Sequence, residues 1–322
     1  MDVFSGHRAL GRRLRAPAVA IGNFDGVHLG HRRLLTEIVR LSRERGGESV
    51  ALTFDPHPAR LLAPRFAPPL ICPPECKLER IAAVGVDACV IEPFDHALAA
   101  LSPEAFVAEV LVGALGARDV CVGADFTFGK GRAGNVRVLG ELGRASGFAL
   151  TVIPSVTVEG IVASSTKVRE FVEEGRVEGA ALLLGRDPEL VGDVVRGAGR
   201  GRSIGVPTVN LRPQNELLPA PGVYAGWARE KGESACWDAA INVGTNPTFT
   251  SGEAPLSVEA HLLDYPGKDL YGARLVLGFR RRLRAEQRFP SVEALVAQIR
   301  QDIEAAADEG RRARNQHGTP AV

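Results

Sequence analysis

Two sets of residues have the types and spacing to act on phosphate. The first is the block Gly22-Asn23-Phe24-Asp25-Gly26-Val27-His28-Leu29-Gly30-His31, with two imidazoles three residues apart at the mouth of a helical pattern. Free N–H groups and the helix dipole favour an anion there, and both rings can donate hydrogen bonds to phosphoryl oxygens. The second is the basic, glycine-rich run from Gly197 to Gly205, which leads into Val206-Pro207-Thr208-Val209-Asn210. Thr208 and Asn210, two apart on a strand, share a face and can meet one ion, while the glycines let backbone N–H groups close on phosphate. A further block, Leu283-Arg284-Ala285-Glu286-Gln287-Arg288-Phe289, sets one carboxylate, Glu286, among arginines.

Each set alone has a plainer explanation. His28 and His31 can be capping or surface histidines in a glycine-rich turn, a GxGR loop is more often a plain turn, and Glu286 is a solvated charge among arginines. A metal reading of the histidine pair is weaker still, because no third carboxylate or His sits at ligand spacing in the same block.

The elements that must position these residues favour chemistry. Up to about residue 184, continuous apolar runs alternate with helical patterns, as strands buried on both faces of a parallel sheet do. Strands are expected near Ala18–Gly22, Ser49–Phe54, Ala88–Pro93, Val120–Gly123 and Ala149–Ile153. Helices are expected over Arg32–Glu44, Pro103–Leu115, Val136–Ser146 and Ser165–Glu173. A doubly wound, Rossmann-like α/β domain follows, and its ligands bind beyond the carboxyl ends of the strands, where the histidine block falls. Beyond Gly185, segments near Glu189–Gly197, Val223–Arg229, Trp237–Val243, Leu256–Leu263 and Arg274–Leu283 read as strands joined by Gly- and Pro-rich turns. That half reads as a small antiparallel β-barrel, closed by a C-terminal helix over Ser291–Ala307. The division is 1–184, 185–310 and a tail, 311–322, expected to be disordered for want of an apolar period.

Composition narrows the partners. A chain of 322 residues suits two domains, and 39 Lys and Arg against 38 Asp and Glu leave no global positive field for nucleic acid or an anionic membrane. The run Arg280-Arg281-Arg282-Leu283-Arg284 alternates along a strand with few aromatics beside it, which favours a solvated strand over a nucleic-acid surface. No apolar stretch reaches the length of a signal-peptide core or of the ~18 residues of a spanning helix, so a cytoplasmic enzyme acting on small molecules is expected. The five scattered cysteines read as reduced thiols, and Cys72 and Cys76 lack the second pair a zinc site needs. Cys121, with apolar neighbours, reads as a packing residue.

With these blocks in hand, the chain from Val19 to Ala307 resembles the bifunctional riboflavin kinase/FMN adenylyltransferases, the FAD synthetases of bacterial type. Further blocks carry the resemblance: Thr53-Phe54-Asp55-Pro56-His57-Pro58, Gly123-Ala124-Asp125-Phe126-Thr127-Phe128-Gly129, and Ser164-Ser165-Thr166-Lys167-Val168-Arg169. In the second half they are Asn242-Val243-Gly244-Thr245-Asn246-Pro247-Thr248, Glu259-Ala260-His261-Leu262-Leu263-Asp264 and Asp269-Leu270-Tyr271-Gly272. The resemblance implies that the N-terminal half transfers AMP from ATP to FMN, and that the C-terminal half phosphorylates riboflavin.

It further implies that Gly22, Asn23, Phe24, Asp25, Gly26, His28, Gly30, His31, Ser164, Ser165, Thr166 and Arg169 hold one ATP, with His28 and His31 stabilising its phosphates. Gly199, Gly201, Arg202, Gly205, Pro207, Thr208 and Asn210 would hold the other, with Mg²⁺ on Thr208 and Asn210. Asp55, Pro56, His57, Pro58, Asp125, Phe126, Arg284 and Glu286 would meet flavin, and Glu286 would be the kinase base. Asp55 and Asp125 could equally be turn-formers. FMN and FAD are then product and substrate, and the enzyme a monomer or weak homo-oligomer. Val209 stands where Ala is common in the family. Two other readings remain: a single active site with the barrel as a flavin-binding module, and a non-enzymatic flavin or nucleotide sensor or RNA binder. Intact Thr208, Asn210 and Glu286 count against the first, and the balanced charge counts against the second.

Overall fold

A computed structural model describes residues 1–197, 205–245 and 256–317. Contacts group Met1–Pro69 with Pro74–Ser164 in one unit, and Leu70–Pro73 with Ser165–Val322 in another.

The first unit is built on a six-stranded sheet with all pairs parallel: β1 (Asp2–Phe4), β2 (Ala18–Ile21), β3 (Ser49–Asp55), β4 (Ala88–Pro93), β5 (Asp119–Gly123) and β6 (Ala149–Ile153), in the order β1-β4-β3-β2-β5-β6. The continuous apolar runs resolve into two buried faces. Val19, Ile21, Val50, Leu52, Val90, Val120 and Val122 pack with Phe106, Val107, Val110, Leu111 and Leu139. Ala18, Ala20, Ala51, Cys89 and Cys121 face the other way, against Leu34, Leu35 and Ile38 of α1 (Leu29–Glu44). Alternate large and small residues thus give each strand one thick face and one thin face, and the thin one admits α1 closely. Burial pushes the Cys89 and Cys121 thiols up to about 12, as packing residues should behave.

The expected helix over Pro103–Leu115 is α-helical for Pro103–Phe106 and widens into a π-helix over Val107–Ala114. Val136–Ser146 forms as expected (α2), with Asn135 Oδ1 accepting from Val138 N at 3.1 Å and Gly147 ending it in the left-handed region. Among the elements not read from sequence is β1. It is held beside β4 by Glu92, whose buried carboxylate accepts from His7 N and meets His7 Nδ1, both at 2.8 Å.

The second unit is a closed antiparallel barrel of β7 (Glu189–Val195), β8 (Val209–Pro213), β9 (Gly222–Glu230), β10 (Cys236–Thr245), β11 (Leu256–Leu262) and β12 (Arg274–Arg284), in the order β7-β8-β11-β10-β9-β12. Helices α3 (Ser165–Glu173) and α4 (Val177–Leu184) belong to this unit, with Val177 in the barrel's core cluster. Segment 70–73 joins it through buried Asn215, whose side-chain amide donates to Ile71 O at 3.2 Å and Glu189 O at 3.0 Å.

Gly278 in β12 lies opposite Trp227 in β9, and a β-carbon there would overlap the indole. Gly278→Ala therefore forces a buried aromatic off its rotamer; thermal unfolding should show a loss of about 1–3 kcal/mol.

Two expectations are corrected. The C-terminal helix, α5 (Val292–His317), runs past Gly310 through most of the expected disordered tail. Charge replaces apolar period there: Arg311 pairs with Asp308, Arg312 with Glu309 at 3.6 Å, and Arg314 reaches Asp238 at 2.5 Å. The arginines of β12 are not simply solvated. Arg280 is buried against Asp238 at 2.8 Å, and Arg282 donates to Pro221 O at 2.7 Å. Among the described residues, no helix is long and apolar enough to cross a membrane.

Candidate active sites

In the first unit the chain runs β2, β3, β4 to one side and then returns to place β5 on the other side of β2. The loops after β3, β2 and β5 therefore stand side by side at one sheet edge, flanking the switch point where such sheets bind ligands. The loop after β2 holds Gly22, Asn23, buried Phe24 and Asp25, and Gly26 at positive φ. The helix begins at Leu29, three residues before the expected Arg32, because His28 is its N-cap: Nδ1 accepts from His31 N at 3.4 Å. Gly30 and His31 thus belong to the first helical turn. The His28 and His31 rings stack with centroids 3.7 Å apart, and the edge of Phe24 meets His31 at 5.3 Å. The two imidazoles lie together at the positive end of α1, as their spacing predicts.

After β3, Asp55 and Pro56 are exposed and His57 caps the short helix Pro58–Leu62 through Nδ1, which accepts from Ala59 N at 3.2 Å. His57 Nε2 lies 3.2 Å from Asn23 Nδ2, so the loops after β2 and β3 touch. Thr53 Oγ1 fixes the same corner, donating to Asn23 O at 3.0 Å, and Lys77 Nζ donates to Thr53 Oγ1 at 3.3 Å. After β5, Phe126 N donates to Gly123 O at 3.2 Å, a tight turn that leaves Asp125 exposed and stacks Phe126 on Phe128 at 5.5 Å. Ser164 closes the first unit, while Ser165, Thr166 and buried Arg169 lie on α3 of the second.

The barrel contains a cavity of about 330 Å³ whose lining includes Thr208, Asn242, Glu259, His261, Arg284 and Glu286. Its apolar wall includes Phe289 and, one turn apart along α5, Leu295, Ile299 and Ile303. Glu259 is the junction of the polar side: it lies opposite Asn210 in β8 and Asn242 in β10, and Thr208 Oγ1 is 3.5 Å from its Oε2. Opposite residues project from one face of a sheet, so these oxygen-bearing side chains converge. Asn210 also packs against Gly197. Gly205 adopts positive φ, and Pro207 O accepts from His261 Nδ1 at 2.7 Å, which places that ring proton on Nδ1. Gly199, Gly201 and Arg202, with Asn246, Pro247 and Thr248, lie outside the described residues.

Glu286 sits against Gly244, where a β-carbon would overlap its Oε1. Gly244→Ala should displace that carboxylate and lower a reaction using it as base by about 100-fold, as steady-state kcat would show. Asp302 also lines the cavity and accepts from Gln298 Nε2 at 3.1 Å, and neither residue stands out in the sequence. The available signal was Asp302 itself, a charge on the helix face of Leu295 and Ile299.

A FAD synthetase family model matches residues 12–167, and a riboflavin kinase family model matches residues 184–309. The bifunctional riboflavin kinase/FMN adenylyltransferase of Pseudomonas fluorescens is 36% identical over 310 residues, spanning 95% of this chain and 97% of that relative. Its counterpart in Escherichia coli (strain K12) is 38% identical over 284 residues, 88% of this chain and 90% of the relative. A crystal structure described as a macrolide-efflux protein from Streptococcus pneumoniae superposes with a TM-score of 0.85 at 28% identity, covering 95% of this chain and 98% of that one.

Proposed function

The chain belongs to the bifunctional riboflavin kinase/FMN adenylyltransferase family, and from that premise we infer that each of the two sites described above holds its own ATP. The enzyme phosphorylates riboflavin to FMN and adenylylates FMN to FAD. The observation that carries the two-site reading is the pair of separate clusters, histidines at a parallel sheet edge and Thr208, Glu259 and Glu286 around a barrel cavity. The working division is 1–184 for adenylyl transfer and 185–310 for the kinase. The change from parallel to antiparallel pairing between β6 and β7 supports a division between Ile153 and Glu189, within which α3 and α4 group by contact with the barrel.

In the kinase, Glu286 accepts the proton of the ribityl 5′-hydroxyl as that oxygen attacks the γ-phosphorus of ATP; the bond to the β–γ bridging oxygen breaks and ADP leaves. Thr208 and Asn210 beside Glu259 offer the hard oxygen donors that Mg²⁺ prefers, and they are the residues that would hold it. Held there, such an ion would neutralise phosphate charge. Pro207 and Gly205 shape the entry to the same strand, with Gly199, Gly201 and Arg202 assigned to the nucleotide.

In adenylyl transfer a phosphate oxygen of FMN attacks the α-phosphorus, the bond to the α–β bridging oxygen breaks, and pyrophosphate leaves. No protein nucleophile is required, since orientation and charge stabilisation suffice for this displacement. His28 and His31 donate to the phosphates from the positive end of α1, and the loop Gly22–Gly26 with Gly30 approaches them by backbone. Ser164, Ser165 and Thr166 contribute hydroxyls, and Arg169 a guanidinium. Asp55, Pro56, His57, Pro58, Asp125 and Phe126 are assigned to FMN. The balanced charge supports small-molecule partners and no nucleic acid; the reading is completed by a cytoplasmic enzyme, monomeric or weakly associating.

Chromatography of products from riboflavin, ATP and Mg²⁺ tests the function: FMN and FAD are expected. FAD made only from added FMN would favour the single-site reading, and neither product would favour a sensor.

A further inference from the structure

Arg284 lines the kinase cavity, yet its guanidinium is engaged with the protein's own framework. Nε donates to Asp302 Oδ1 and Oδ2 at 3.0 and 3.1 Å, Nη2 donates to Oδ2 at 2.7 Å, and Nη1 donates to Ala285 O at 3.1 Å. The guanidinium carbon also lies 5.7 Å from the centre of the Phe289 ring. Asp302, only 6% exposed, takes a further bond from Gln298 Nε2 at 3.1 Å. A carboxylate so buried persists only when it is paired, and a forked guanidinium contact fixes direction as well as distance. The pair therefore fastens the end of β12 to α5, and through Phe289 it also bears on the far end of segment 285–289. Glu286 lies between these two points, two residues from Arg284.

We propose that Asp302 is a positioning residue for riboflavin phosphorylation. Through Arg284 it holds segment 285–289 so that the Glu286 carboxylate stays against Gly244, and it keeps the Arg284 cation from pairing with Glu286. Arg284 then serves as framework and not as a flavin contact. The inference rests on Glu286 being the kinase base.

The test is a double-variant cycle in the full-length chain, read by steady-state kinetics with riboflavin and ATP. Asp302→Asn leaves a cation uncompensated and Arg284→Gln leaves a carboxylate uncompensated, so each lowers kcat, by about 100-fold, with little change in either KM. Arg284→Gln with Asp302→Asn removes both charges and lets the two amides bond, so its kcat should exceed that of either single variant by about tenfold. Both tryptophans of the chain, Trp227 and Trp237, lie in the barrel, so their emission reports whether each variant is folded. If one single variant unfolds, the double variant is compared with the other. Unchanged kcat in Asp302→Asn, a double variant no better than the better single one, or a loss confined to the KM for riboflavin would overturn the proposal. Full kcat in Glu286→Ala would instead sink the assignment of the base, which keeps the two failures apart.

Discussion

Glu286→Ala should stop formation of FMN from riboflavin while leaving conversion of FMN to FAD intact. A positioned general base contributes about 10²–10⁴-fold, so kcat for the phosphorylation falls by that factor. The carboxylate is held against Gly244 within the barrel cavity, and no step of adenylyl transfer calls on it. Assaying one preparation with riboflavin and then with FMN separates the two activities. If both vanish in a chain whose far-ultraviolet circular dichroism matches the wild type, the assignment of two sites is wrong.

The reverse pattern is expected at the parallel sheet. His31→Ala removes one donor to the phosphates, and the loss of one such preorganised donor costs about 10²–10³-fold in kcat. His28 has a second duty as the N-cap of α1, worth about 0.5–2 kcal/mol, so alanine there would confuse chemistry with stability. His28→Asn keeps a good cap and removes the imidazole. It should therefore depress FAD formation nearly as much as His31→Ala does, with riboflavin phosphorylation unaffected and FMN accumulating. Normal FAD formation by His28→Asn would mean that His28 only caps the helix.

Much of this was legible in the sequence because the elements obey local rules. The Val/Ala runs of β2 to β5 are buried on both faces, while β6, at the sheet edge, is largely exposed; the histidine block could be placed at a strand-to-helix junction from spacing alone. The early start of α1 was hidden because a histidine is an uncommon cap whose ring bonds only once the turn has formed. β1 has three residues, and it is secured by the contact of His7 with Glu92, 85 positions apart, which no window of sequence reveals. The length of α5 was missed for a related reason: its last turns depend on Asp238, brought from β10 to meet Arg314. Asp302 likewise reads as an ordinary helix charge until the barrel closes and sets Arg284 beside it. What escaped at β1, at the end of α5 and at Asp302 was a pairing between residues distant along the chain.

The most direct measurement follows label from ATP. With riboflavin as the acceptor, ATP labelled in its γ-phosphate should yield labelled FMN, and with FMN as the acceptor, ATP labelled in its α-phosphate should yield labelled FAD while the γ-label leaves as pyrophosphate. Label entering flavin from only one of these positions, or from neither, would contradict an enzyme with one phosphoryl-transfer site and one adenylyl-transfer site.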